Sequence, residues 1–139
     1  MSIKWGQLYT NPVVSIQRSE IHRWGVFAKK DIQEGDLIAQ SPYFVIDDDD
    51  VDIDAGTGML GRYVHPIDDV DEIEGDWIIG LGYASLYNHS ADANIQWDLD
   101  TYNEVMVHYA TTDIKAGEEL CLDYGFDEGD DPAEEFGEY

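Results

Sequence analysis

A mainly β domain is predicted by three features of the sequence. Most apolar segments alternate with a period of two, the spacing that turns successive side chains to opposite faces of a strand. Glycines at positions 35, 56, 58, 61, 117, 125 and 129 fall between or after those segments, where turns need them. Sustained apolar spacing at three and four residues, the mark of an amphipathic helix, is scarce.

The elements follow in order. Residues 12–17 (PVVSIQ), 21–28 (IHRWGVFA) and 36–46 (DLIAQSPYFVI) read as strands. The best helical candidates are two short pieces, 59–64 and 77–88. Strands resume at 94–99 and 103–111, the latter placing Val105, Val107 and Tyr109 on one face and Glu104, Met106 and His108 on the other. A last strand sets Leu120, Leu122 and Tyr124 against Cys121 and Asp123. One echo is audible: AKKDIQEGDLI (28–38) and ATTDIKAGEEL (110–120) share a spacing of Ala, Asp-Ile, Gly and an acid. It reads as two similar turns, too short and too few for a solenoid.

Composition narrows the class. A chain of 139 residues with 43% hydrophobic and 12% aromatic residues is one domain with a real core. No apolar run approaches a membrane span, and no secretory signal pattern opens the chain, so an intracellular protein is expected (cytoplasm, or host nucleus if viral). A single cysteine, Cys121, excludes a disulfide framework and cysteine-based zinc sites. Thirty-one acids against seven lysines and arginines give a net charge of −24, which repels nucleic acid and leaves three readings: a solvated acidic surface, attraction of a basic protein, or imitation of a nucleic-acid backbone. The acidic run 47–54 fails as a calcium loop: Ile53 stands where the sharp-turn glycine belongs, and no glutamate falls at the twelfth position. No metal site is expected.

Familiar catalytic patterns are missing. There is no Gly-x-Ser-x-Gly elbow, phosphate loop or His-Glu-x-x-His, and the four histidines lack ligand spacing. Three separated segments make sense together: HRWGVFAKKDIQEGDLI (22–38), LGYASLYNHSADANI (81–95) and AGEELCLDYGFD (116–127). In order and spacing they resemble the signature segments of SET-domain protein lysine methyltransferases, over most of the chain from about Val14 to Phe126. The short length resembles the minimal SET proteins of large viruses and bacteria.

The resemblance implies a fold of small β-clip-like sheets with a pseudoknot-like C-terminal crossing and a SET domain over residues 1–126. The cysteine-rich C-terminal zinc element of many family members is absent, so the acidic tail, 127–139, is the natural candidate to complete the substrate channel, with a partner subunit the alternative. The resemblance also implies S-adenosyl-L-methionine as cofactor. Asn88 would hold its methionine part, His89 would offer backbone contacts to the adenine, Trp24 and Gly25 would lie against it, and Asn94 would brace the crossing. Tyr124 would be the active-site tyrosine between cofactor and lysine, with Tyr63 a second catalytic candidate. Tyr87, Leu122 and Phe126 would line the lysine channel, though plain core packing competes for each aromatic. Leu122 offers no hydroxyl to hold a water, which leaves room for higher methylation. One departure stands out: the family's Gly-x-Gly reads Arg23-Trp24-Gly25 here, so an arginine replaces the first glycine. If that position needs positive φ, Arg23 is strained.

The implied reaction is methyl transfer to a lysine of a basic protein: a histone, a histone-like protein or a ribosomal protein. A homodimer is suggested by the viral relatives. Two other classes stay open, a non-catalytic acidic module that binds basic peptides and a nucleic-acid mimic that blocks a basic protein.

Overall fold

In a computed structural model the described residues are 7–46, 64–66 (backbone only) and 77–123. They form nine strands in two sheets: β1 (Val14–Arg18), β2 (Trp24–Ala28), β3 (Leu37–Ile46), β4 (Val64–Pro66), β5 (Trp77–Gly80), β6 (Asn88–His89), β7 (Ile95–Asp100), β8 (Val105–Ala110) and β9 (Glu119–Leu122). One sheet runs β1-β2-β9-β6 and the other β4-β5-β3-β8-β7. The mainly β expectation holds, and six predicted strands lie within a few residues of observed ones.

The helical expectation for 77–88 does not hold. Residues 77–80 pair with β3, a single 3-10 turn occupies Gly82–Ser85, and Asn88–His89 form the short β6. Ile78 and Ala84 both face the second apolar cluster, with Met106, but from a strand and a 3-10 turn rather than from one helix. Gly80 permits this: a Cβ there would sit 2.7 Å from Met106 Sδ. The other helical candidate, 59–64, lies outside the described residues except for Val64, which is in β4.

The main core gathers Val26, Ile32, Ile38, Ile95, Ile114 and Leu120 between the sheets, each side chain contributing about 1.5–3 kcal/mol by leaving water. In β8 the face turned inward is Met106, His108 and Ala110, while Val107 and Tyr109 are half-exposed. Period two correctly separated the faces but could not say which one met the core.

The echoed turns meet each other. Ile32 and Ile114 exchange backbone hydrogen bonds at 2.7 and 2.8 Å. The rest of the contact is reciprocal. Gly35 N–H donates to Ala110 O, and Gly117 N–H to Ala28 O. Asp113 Oδ1 accepts from Glu34 N–H, and Asp31 Oδ1 from Ala116 N–H, both at 2.9 Å. Both glycines take the left-handed backbone, φ 88° and 93°, that the turns require. The two segments form a pseudo-twofold clasp that fixes the ends of β2 and β8 and the starts of β3 and β9.

One connection sets the site. β6 pairs with β9 in parallel, Asn88 opposite Cys121 and His89 opposite Leu122, so two segments distant in sequence cross side by side. Asn94 clasps that crossing: its Nδ2 donates to Glu119 O at 2.8 Å, and its Oδ1 accepts Cys121 N–H at 2.8 Å.

Candidate cofactor site

Where β6 meets β9, the turn between β1 and β2 closes over them. Asn88 stands at the centre, 5% exposed. Its Nδ2 donates into a nest of four oxygens: Glu119 Oε2 at 2.7 Å, and Ser19 Oγ, His22 O and Trp24 O each at 3.2 Å. Two amide hydrogens shared among four acceptors leave no doubt about the rotamer, because the flipped amide would set oxygen against oxygen. The carbonyl Oδ1 is therefore turned away from the nest.

Gly25 is buried against this centre. A Cβ there would lie 2.8 Å from Glu119 Cδ, closer than packed atoms come, and 3.1 Å from Asn88 Nδ2, tight enough that the amide would have to give. The glycine thus lets β2 press onto the Asn88–Glu119 pair. Beside it Trp24 is 52% exposed, and the Arg18 guanidinium lies 5.2 Å from its ring centroid, a cation–π contact. His89 is half-buried, its Nδ1 3.9 Å from Asp123 Oδ1. Trp24, Gly25, Asn88 and His89 thus sit on two segments that the turn and the crossing bring together.

Tyr87 and Leu122 have a different setting. Tyr87 is 1% exposed, its ring centroid 4.6 Å from that of His108, and burial raises its phenol above the usual range, with Tyr83 adding a smaller push. Leu122 packs in the same core cluster. Tyr63, Tyr124 and Phe126 lie outside the described residues, as do the acidic run 47–54 and the tail. Cys121 is buried, and desolvation followed by the Glu119 charge pushes its thiol up to about 12. It stays a neutral thiol, unsuited to nucleophilic work. Among the described residues no cluster of His, Cys, Asp or Glu could hold a metal ion.

Two residues of the centre carried no role in the sequence. Glu119 lies inside the Gly-Glu-Glu-Leu signature, but nothing in its spacing showed that it would meet Asn88. Ser19 carried no signal beyond its place in a turn.

Residues 23–125 match the SET domain model. The chain belongs to the SET-domain family. A Schizosaccharomyces pombe histone-lysine N-methyltransferase, H3 lysine-37 specific, is 29% identical over 81% of this chain and 73% of its own length. Two others are 30% identical: a Mycosarcoma maydis histone-lysine N-methyltransferase, H3 lysine-4 specific, and the Dictyostelium discoideum histone-lysine N-methyltransferase set1. The matches cover 88% and 81% of this chain but only 9% and 8% of those proteins. A solved structure from Plasmodium falciparum, carrying a provisional histone methyltransferase name, superposes with a TM-score of 0.64 at 24% identity, covering 84% of this chain and 96% of that one. The fold is the SET fold, and the enzyme class is protein-lysine methyltransferase of the SET type.

Proposed function

We propose that the protein transfers a methyl group from S-adenosyl-L-methionine to a lysine side chain of a basic protein, of the histone class. The observation that carries the reading is the Asn88 centre. A buried amide is locked by four oxygens with its carbonyl turned outward, under a glycine whose missing Cβ brings β2 close. Such a cradle fits a ligand that offers a protonated amine beside a flat ring. When bound, S-adenosyl-L-methionine supplies an electrophilic methyl on a sulfonium.

The chain's own residues have separate tasks. Asn88 Oδ1 accepts from the ligand's ammonium, the backbone at His89 borders the adenine, and the Trp24–Gly25 strand lies along its length. Tyr124, two residues beyond Leu122 in the sequence, orients the lysine amine, with Tyr63 as its partner. The target amine has to arrive neutral, although a free lysine titrates near 10.4. Exclusion of water and a neighbouring positive charge both depress that value. Holding amine and methyl in line then supplies much of the acceleration. Relatives that are named for histone lysines support the target class, and a chain of −24 charge suits a basic one.

Calorimetry with S-adenosyl-L-methionine, wild type beside Asn88→Ala, tests the reading. Saturable binding by the wild type is expected, weakened at least about tenfold in the variant, the worth of one hydrogen bond to a charged group. Histone tails should then accept labelled methyl. No binding by folded wild type sinks the proposal.

A further inference from the structure

The chain departs from its family's glycine at Arg23, and Arg23 is where the backbone is strained. Its φ is +38°, a region where a Cβ crowds the neighbouring carbonyl. The position cannot relax unnoticed, because the carbonyls on either side of it, His22 O and Trp24 O, are the ones that Asn88 grips. The Arg23 side chain is exposed, and the contacts that close the turn among the described residues come from elsewhere. Something has to hold residues 19–23 in place.

Residue 19 does. Ser19 N–H donates to Arg23 O at 2.9 Å and closes the turn. Its Oγ accepts from Ile21 N–H at 3.0 Å and His22 N–H at 3.4 Å, an arrangement of the serine-turn kind. The same hydroxyl donates to Glu119 Oε1 at 2.6 Å, while Glu119 Oε2 holds the Asn88 amide. One oxygen thus ties the strained turn to the floor of the site.

We propose that Ser19 is a positioning residue for the cofactor: its hydroxyl substitutes for the missing glycine by locking residues 19–23 onto Glu119, which keeps the Asn88 amide oriented. The inference rests on the reading of this site as the S-adenosyl-L-methionine pocket. A glycine at 23 would adopt the left-handed backbone without strain. An arginine does so only while Ser19 holds it.

The test is a two-by-two set, wild type, Ser19→Ala, Arg23→Gly and the double variant, with Ser19→Thr as the conservative control. Each is titrated with S-adenosyl-L-methionine well below its unfolding temperature. Ser19→Ala should weaken binding about tenfold and raise the cofactor KM with kcat little changed, and Ser19→Thr should restore most of the loss. Adding Arg23→Gly to Ser19→Ala should bring affinity back to within about threefold of wild type. A merely structural serine would lower the melting temperature and leave affinity alone. That result, or a loss that Arg23→Gly does not relieve, overturns the proposal. If the wild type binds no cofactor, the reading of the pocket fails instead. The Ser19–Arg23 coupling is then decided by urea unfolding of the same four proteins, where strict additivity refutes it.

Discussion

Gly25 shows how one missing methyl shapes the site. Asn88 and Glu119 fill the space that a Cβ would need, and both are anchored, so neither can withdraw cheaply. Gly25→Ala should cost about 1–3 kcal/mol of stability through overpacking. It should also weaken S-adenosyl-L-methionine binding more than about tenfold, because the contact pushes on the amide proposed to meet the ligand. Thermal unfolding and calorimetry on one preparation read both effects, and wild-type affinity in the variant would show that the cradle is not in contact with the ligand. At this scale the sequence was partly legible. Asn88 and Gly25 lie in contiguous motifs, and a motif is visible in one dimension. Glu119 and Ser19 act on each other across a hundred residues, and no local pattern reports such a pair.

Among elements, the clasp between the two echoed turns is the joint on which the crossing depends, since it sets where β9 begins. Each turn lends its aspartate to the other's backbone, Asp31 to Ala116 and Asp113 to Glu34. Asp31→Ala and Asp113→Ala should therefore destabilise by similar amounts, about 1–2 kcal/mol each in urea unfolding. Asp→Asn at either position keeps the accepting oxygen and sheds a charge from a strongly acidic chain, so it should cost little or nothing. A large loss on Asp→Asn would assign the role to the charge instead. The sequence announced the repeat but not that its halves would pair, because pairing depends on how the chain returns. It also misjudged residues 77–88, where a strand, a 3-10 turn and a second short strand together place apolar residues at helix-like intervals. The strands proved easier: β7 alternates apolar and polar residues over its whole length and β8 alternates in burial from Met106 on, while β3, buried at four successive positions, is marked by its apolar stretches instead.

The whole molecule carries a field of one sign, thirty-one acids against seven cations. Two physical consequences run in opposite directions with salt. If the field draws in a basic substrate, screening should slow encounter: from about 0.1 M to about 1 M salt the Debye length falls from about 10 Å to about 3 Å. The kcat/KM for a histone-tail peptide should then fall by at least about tenfold, a typical steering factor, while binding of S-adenosyl-L-methionine, held by local polar contacts, changes less. If the charge instead serves solvation, the same salt relieves self-repulsion, and the melting temperature should rise with no matching loss of peptide turnover. Measuring both quantities across one salt series separates the two. Falling kcat/KM beside rising stability assigns the charge to substrate capture as well as to hydration. A flat kcat/KM removes capture and leaves the acidic surface as a matter of hydration alone.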